Sequence, residues 1–284
     1  MGKKKSKRIQ GMFLLIDRKS DKGLVHWIED LEKRKIQALV LVDGHTIHHK
    51  KDLVKRVAEK GLDVASIYND GAFWPHTHED MIAWLPPWME IEKPHLLTPY
   101  QVQYEITSRI NEALAPLIGK TMPVFGGKYF SYDENTLKVA DEIKIPYILA
   151  RGTAAERAVF YQPREYRATL ISVSNVPSRE LGTGSLCDES LRARNETPDA
   201  FKRLLFSLDC DRVILVAQTH ISGLMAEWWD VYQAFFESDL VGWQALQDFV
   251  VDPEDLPYSE IPVNTRTDYM QKSLEEDREG MKRD

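Results

Sequence analysis

The chain has 284 residues, of which 43% are hydrophobic and 29% are charged, and its formal net charge is −7. This length can bury one large core, and the composition is that of an ordinary globular protein, which argues against disorder, collagen and coiled coils. Because binding along a nucleic acid needs a basic surface, the negative charge argues against a general nucleic-acid-binding protein. No apolar stretch approaches the roughly 18 residues that a membrane-spanning helix needs.

Residues 1–11 predict a basic, solvated tail that precedes the folded domain. The apolar run behind it, 12–16, is too short for the hydrophobic region of a signal peptide and ends at Asp17. The two cysteines, Cys187 and Cys210, lack the spacing of a thiolate zinc site, and two reduced thiols are typical of the cytoplasm. We therefore expect a cytoplasmic protein, with a leader removed by processing as the alternative.

Apolar runs alternate with amphipathic segments along the rest of the chain. Runs without polar alternation predict seven buried strands, at 12–16, 38–42, 62–67, 122–125, 146–150, 168–173 and 213–219. Apolar residues at helical spacing, with Gly61 and Gly119 as stop residues, predict helices at 24–35, 51–60, 98–118, 133–143, 198–208 and 224–237. Buried strands followed by helices predict a parallel α/β sheet, closed into a barrel or doubly wound, with its chemistry at the carboxyl ends of the strands.

Two insertions and an acidic end interrupt this pattern. Residues 69–97 are rich in Trp, Pro and His, and residues 152–197 predict one strand between irregular segments. Residues 252–284 hold ten acidic and five basic side chains. We interpret them as a tail that is disordered or wraps the domain, so the predicted folded domain is 12–251.

Titratable side chains follow the first and the last predicted strands. Asp17 comes directly after the first strand, beside Arg18, where a carboxylate is either a general base or one half of an ion pair. His220 ends the last strand, where an imidazole is either a general acid or a hydrogen-bonded structural group. Both residues are therefore candidates for acid–base chemistry.

The loop after the third strand carries two histidines and several aromatic residues. His76 and His78 could share a metal ion if the segment is extended, and solvated loop histidines are the alternative. Trp74 and its aromatic neighbours either stack on a sugar face or form a small satellite core. The histidines after the second strand are interpreted as part of a solvated loop: His45, His48 and His49.

The fourth strand leads into Gly126, Gly127, Lys128 and Tyr129. Glycines after a strand let the backbone approach a ligand or form a tight turn. The spacing is not that of a phosphate-binding loop. This segment is therefore a candidate ligand contact without a phosphate signature.

In this order the segments resemble the polysaccharide deacetylases, carbohydrate esterases that remove N-acetyl or O-acetyl groups from chitin-like and peptidoglycan sugars. The resemblance covers roughly residues 13–249 and is clearest on the helix with Glu105 and Ile106, at 115–119, and along DENTLKVADEIKIPY at 133–147. It implies a distorted (β/α) barrel of about seven parallel strands and, in the family, metal-dependent hydrolysis.

The resemblance implies a metal site that has lost its usual ligands. Arg18 stands where the family has a metal-ligating aspartate, and the HxxxH motif falls on Ile67 and Gly71, which cannot bind a metal. His76 and His78 are near but have the wrong spacing. No cofactor is predicted with its ligands, and a zinc-like divalent metal remains an alternative.

The remaining matches imply a base, an acid and substrate contacts. Asp17 matches the family's general base and His220 its final histidine, while Tyr129 is what remains of an Arg-Pro-Pro-Tyr motif. With Arg18, Lys128 and Trp74 as further substrate contacts, the first hypothesis is a hydrolase of carbon–nitrogen bonds acting on an N-acylated sugar or a small amide. The alternatives are an inactive relative that binds carbohydrate, and a protein-interaction module that uses the Trp-rich loop and the acidic tail. The sequence does not indicate the oligomeric state.

Overall fold

The computed structural model describes residues 8–17, 20–67, 100–127, 130, 132, 134–150, 157–163, 165–178 and 182–251. Within these residues the strands are β1 Ile9–Ile16, β2 Ala38–Val42, β3 Asp63–Ile67, β4 Val124–Gly126, β5 Tyr147–Ala150, β6 Val159–Tyr161, β7 Thr169–Ser172, β8 Asn175–Ser178, β9 Gly182–Ser185, β10 Arg212–Gln218 and β11 Val241–Trp243. The helices are α1 Asp21–Arg34, α2 Gly44–His49, α3 Lys51–Glu59, α4 Tyr100–Ile118, α5 Glu134–Ile143, α6 Asp188–Arg192, α7 Pro198–Phe206, α8 Ala226–Glu237 and α9 Leu246–Phe249.

The main sheet has the strand order β10–β1–β2–β3–β4–β5–β7–β6, and β11 pairs with the start of β1. All of these pairs are parallel except β6 with β7. The side chains of β2 are buried throughout, as are those of β1 from Gly11 onward, because helices cover the outer face and the curled sheet encloses the inner one. The seven predicted strands are confirmed, and β6 and β11 extend the same sheet.

The free edge of β10 is covered by the segment that follows β7. The amide of Ile214 donates to Ser174 Oγ at 2.9 Å, and the amide of Val216 donates to the carbonyl of Leu186 at 3.0 Å. The amide of Leu186 in turn donates to the carbonyl of Ser174 at 2.9 Å. These bonds bring the two sides of the curled sheet together, and the fold is the distorted (β/α) barrel that the family resemblance implies, not the doubly wound alternative.

Helix α1 lies close against the backbone that follows β10. A Cβ atom on Gly23 would lie 2.0 Å from the carbonyl oxygen of Thr219, so only glycine allows this approach. Gly223 meets the same carbonyl, since its Cβ would lie 2.3 Å away. The carboxyl end of β10 is therefore fixed by direct backbone packing.

The interpretation of His45, His48 and His49 as a loop is wrong, because these residues lie in helix α2, although His48 and His49 are exposed as expected. The carboxylate of Asp43 accepts a hydrogen bond from the amide of Thr46 at 2.7 Å and caps the helix. The expectation of one strand within 152–197 is also incomplete, since β6, β8, β9 and α6 lie there as well.

Two predicted segments fall outside the description. The loop 69–97 and the tail 252–284 lie outside the described residues, and the predicted boundaries of the domain stay predictions. Strand β1 begins at Ile9, within the segment predicted as a tail. None of the helices in the described ranges is long and apolar enough to cross a bilayer.

We expect Ser174→Ala to lower the free energy of unfolding by about 1–3 kcal/mol, because it leaves the buried amide of Ile214 without its acceptor. Urea unfolding monitored by circular dichroism measures this loss. Ser207→Ala is the matched control, since Ser207 is exposed and its loss should cost less than about 0.5 kcal/mol. Equal losses in the two variants would contradict the role of Ser174 in closing the barrel.

Candidate functional site

A cavity of about 200 Å³ lies at the carboxyl ends of β1, β3 and β10. This is the end of a (β/α) barrel where binding and catalytic groups are found. Its lining combines apolar side chains with a few polar groups: Ile16, Ile67, Phe130, Ser185, Cys187, Glu189, Ser190, Ala193, Val216 and Gln218.

The register of β1 on β10 decides which side chains face this cavity. Ile16 pairs with Gln218, and paired residues of parallel strands point to the same side of the sheet. Both line the cavity, as does Val216 two residues earlier. Because successive residues of a strand alternate, we expect the next residues, Asp17 and Thr219, to point to the opposite side. Asp17 is accordingly absent from the described lining.

The carboxylate of Asp17 is fully buried between three elements. Its oxygens accept hydrogen bonds from Thr46 Oγ1 at 2.8 Å, Thr219 Oγ1 at 2.9 Å and the amide of Ser20 at 3.4 Å. Burial raises the pKa of Asp17, the hydrogen bonds from Thr46 and Thr219 oppose this rise, and the nearby charge of Asp43 adds to it. The carboxylate thus joins the end of β1 to α2 and to the end of β10.

His220 follows Thr219 in a turn in which the amide of Ile221 donates to the carbonyl of Gln218 at 3.0 Å. The residue is half-buried, and its Nδ1 atom is shielded from solvent. The structure therefore places Asp17 and His220 after the carboxyl ends of two neighbouring strands. Their roles as base and acid stay predictions.

The other predicted site residues cannot be placed. Arg18, Trp74, His76, His78, Lys128 and Tyr129 lie outside the described residues. Their roles as substrate contacts or weak metal ligands stay predictions.

Two residues that the sequence analysis missed face the cavity. The Nε2 group of Gln218 donates to the carboxylate of Glu189 at 3.0 Å, and both side chains line the cavity. Gln218 could have been found, because it shares the face of Val216 at the end of an apolar strand. Glu189 lies in a segment without periodic pattern, so the sequence offers no comparable signal for it.

Behind this pair lies the buried carboxylate of Asp188. It accepts hydrogen bonds from the backbone amides of Glu189 at 2.8 Å, Gln218 at 3.1 Å and Ser222 at 3.2 Å. Burial raises the pKa of Asp188 to about 7, although these hydrogen bonds oppose the rise. One carboxylate therefore fixes the backbone of both Glu189 and Gln218.

Cys187 lines the cavity but does not have the environment of a nucleophile. Burial raises the pKa of its thiol to about 12, and its Sγ atom accepts a hydrogen bond from the amide of Ser190 at 3.3 Å. The thiolate is the reactive form of cysteine, so this protonated thiol serves as the cap of α6.

The residues described at this end of the barrel do not fit a metal ion. Within the described ranges, no three side chains of His, Cys, Asp or Glu come together as a potential metal-binding group. The oxygens of Asp17 are occupied by hydroxyl and amide donors, and Ile67 presents an apolar side chain at the end of β3.

The raised pKa of Asp188 predicts how stability depends on pH. Between the value of about 4 in an unfolded chain and about 7 in the fold, Asp188 binds its proton more fully in the folded protein than in the unfolded chain, so its contribution to stability falls as the pH rises through this window. Asp188→Asn does not titrate, and we expect a shallower fall than in the wild type. Urea unfolding across this range measures the slope. Asp199→Asn, at an exposed position, is the control, and a wild-type slope in Asp188→Asn would contradict the assignment.

Comparison with known proteins rests on structure alone, since no family model and no curated protein sequence matches this chain. A Mycobacterium smegmatis protein assigned to the polysaccharide deacetylases is similar at a TM-score of 0.62 and 13% identity, over 90% of this chain and 95% of that one. A CE4 family pseudoenzyme from Bacillus anthracis is similar at a TM-score of 0.53 and 10% identity, over 86% of this chain and 66% of that one. The Puue allantoinase is similar at a TM-score of 0.59 and 9% identity, over 86% of this chain and 90% of that one. The chain therefore has the fold of the polysaccharide deacetylases, as its sequence resemblance implies.

Proposed function

We propose that this chain is a non-catalytic protein with the deacetylase fold, which binds a carbohydrate or a small amide in the cavity at the carboxyl ends of the strands. The observation that supports this most is the burial of Asp17. A general base must come within hydrogen-bond reach of the proton that it removes. The carboxylate of Asp17 has no exposed surface, and Asp17 is not part of the described lining of the cavity.

The hydrogen bonds of Asp17 also favour a structural role. A base would have to give up contacts with Thr46 or Thr219, and each lost buried hydrogen bond costs about 1–3 kcal/mol. Proteins with this fold need not be catalytic, since one of the structures similar to this chain is described as a pseudoenzyme. These points favour binding without turnover.

The chemistry of the cavity supports the class of ligand. Apolar side chains of Ile16, Ile67 and Phe130 can contact the C–H face of a sugar ring, and Gln218 and Glu189 can contact its polar groups. The cavity of about 200 Å³ is smaller than the roughly 300–1,000 Å³ of sites for drug-sized ligands. A single ring or a small amide therefore fits better than an oligosaccharide.

The second candidate is a hydrolase of carbon–nitrogen bonds, favoured by the positions of Asp17 and His220 after neighbouring strands. Asp17 would take a proton from a water that attacks the acyl carbon, and its raised pKa is in the direction that suits a base at neutral pH. His220 would give a proton to the leaving nitrogen as the carbon–nitrogen bond breaks. Arg18, Lys128, Tyr129 and Trp74 would contact the substrate.

Two further expectations stay predictions. Cys187 and Cys210 are both free thiols, which agrees with the cytoplasmic location predicted from the sequence. A protein-interaction role depends on residues 69–97 and 252–284, which lie outside the described residues.

Asp17→Asn separates the two candidates, because binding without turnover leaves this residue only a structural role. We expect no acetate release from N-acetylglucosamine by the wild type or the variant, unchanged binding of this sugar, and a loss of about 1–3 kcal/mol in the free energy of unfolding. Enzymatic acetate detection, saturation-transfer NMR and urea unfolding measure the three quantities.

Asp52→Asn, at an exposed position of α3, is the matched control and should change none of them. Acetate release by the wild type that Asp17→Asn abolishes and Asp52→Asn retains would overturn binding without turnover and establish the hydrolase.

A further inference from the structure

Few side chains in the described lining of the cavity can donate a hydrogen bond to a ligand. Glu189 only accepts when it is ionised, and the buried Nε2 group of Gln218 donates to Glu189 at 3.0 Å. Apart from the buried thiol of Cys187, the remaining side-chain donors of the described lining are the hydroxyl groups of Ser185 and Ser190. A ligand that presents an acceptor oxygen to these side chains therefore depends on the two serines.

Both serines are accessible. Ser185 and Ser190 are partly exposed, whereas Gln218 is 2% exposed and Asp17 is fully buried. Neither serine oxygen is among the buried side-chain atoms that lack a partner in the described part of the chain. The hydroxyl of Ser185 makes no hydrogen bond within the described residues, so its oxygen is exposed and its proton is available to a ligand.

The hydroxyl of Ser190 is oriented by the thiol of Cys187. The amide of Ser190 donates to Cys187 Sγ at 3.3 Å, and the thiol lies 3.2 Å from Ser190 Oγ. Because burial raises the pKa of the thiol to about 12, the thiol is protonated at neutral pH and donates to Ser190 Oγ. A helical serine otherwise tends to donate to a backbone carbonyl one turn back. Cys187 occupies that side of the oxygen, which leaves the hydroxyl proton of Ser190 available to a ligand.

The backbone that carries both serines is fixed to neighbouring strands. Ser185 pairs with Asn175 between β9 and β8. The carbonyl of Leu186 accepts from the amide of Val216 in β10 at 3.0 Å, and Cys187 forms a parallel bridge with the same residue. A binding site needs such support, because loosely held contacts lose affinity.

We propose that Ser185 and Ser190 donate the hydrogen bonds that bind an acceptor oxygen of the ligand, and that Cys187 is a positioning residue that orients Ser190. This proposal rests on the proposed function, and it names the contacts that select the ligand. The acceptor is the carbonyl oxygen of an N-acyl group or a hydroxyl oxygen of the sugar ring, because a serine hydroxyl donates to both.

Binding of two monosaccharides to the full chain tests the serine donors. N-acetylglucosamine and glucose differ at C2, where an acetamido group replaces a hydroxyl group, and saturation-transfer NMR titrations give their affinities. We expect Ser185→Ala and Ser190→Ala each to weaken N-acetylglucosamine binding about 3- to 10-fold, as for the loss of one hydrogen bond. A loss for N-acetylglucosamine alone identifies the carbonyl oxygen as the acceptor, and an equal loss for glucose identifies a ring hydroxyl.

The control is Ser207→Ala, at an exposed position outside the described lining, which should leave both affinities unchanged. Thermal unfolding followed by circular dichroism gives a measurement that needs no ligand. Because Ser185→Ala removes no described hydrogen bond, we expect its Tm to stay within about 2 °C of the wild type. A serine that only supports the fold would instead give a lower Tm on replacement.

Two replacements of Cys187 test its positioning role. Cys187→Ser keeps a donor for Ser190 and a good helix cap, and we expect N-acetylglucosamine affinity within about 3-fold of the wild type. Cys187→Ala removes both and should weaken binding about 3- to 10-fold. In the Ser190→Ala background, Cys187→Ala should change the affinity no further, because Cys187 acts through Ser190. A further loss in that background would overturn the positioning role.

The outcomes separate this proposal from the proposed function. N-acetylglucosamine binding that either Ser185→Ala or Ser190→Ala leaves unchanged would overturn the serine donors and leave the proposed function intact. A clearly lower Tm for Ser185→Ala would also overturn them. Binding of neither sugar to the wild type would overturn both proposals.

Discussion

The parallel pairing of β1 with β10 decides which residues of this barrel can meet a ligand. Its register sets Ile16 beside Gln218, and the alternation of side chains then turns Asp17 and Thr219 to the other face. A shift of one residue would exchange these two sets, so that a carboxylate would enter the cavity and an amide would leave it. The groups that a ligand can meet at this end of the barrel therefore depend on the pairing register of β1 and β10 more than on the presence of a particular acidic residue.

Two buried carboxylates, those of Asp17 and Asp188, lie beside the carboxyl end of β10. Each accepts hydrogen bonds that join different elements of the fold. Asp17 is held by hydroxyl donors of Thr46 and Thr219, and Asp188 by backbone amides of Glu189 and Gln218. Burial raises the pKa of each, which shows that desolvation outweighs the hydrogen bonds that they accept. Both act as junctions between elements, and they leave Glu189 as the described carboxylate that faces the cavity.

Much of the fold could be predicted from the sequence, because its signals are local. Apolar runs mark β1, β2 and β10, and Gly61 and Gly119 end α3 and α4 with the positive φ values that suit glycine. The sequence analysis predicts a loop where helix α2 lies, although the Asp43 cap that starts this helix is also a local signal. The pairing of Leu186 with β10 was beyond reach, since nothing in a short irregular segment indicates a distant strand edge.

In the candidate site, too, the features set by neighbouring residues could be predicted, and those set by residues distant in the chain could not. The placement of Asp17 at a strand end could be predicted, but its burial could not, because its hydroxyl donors are 29 and 202 residues away in the chain. A crystal structure of the protein with N-acetylglucosamine tests the account most directly. The account predicts the sugar in the cavity lined by Ile16, Ile67 and Gln218, with Asp17 still bound to Thr46 and Thr219. A sugar or an attacking water bound to the carboxylate of Asp17 would contradict it.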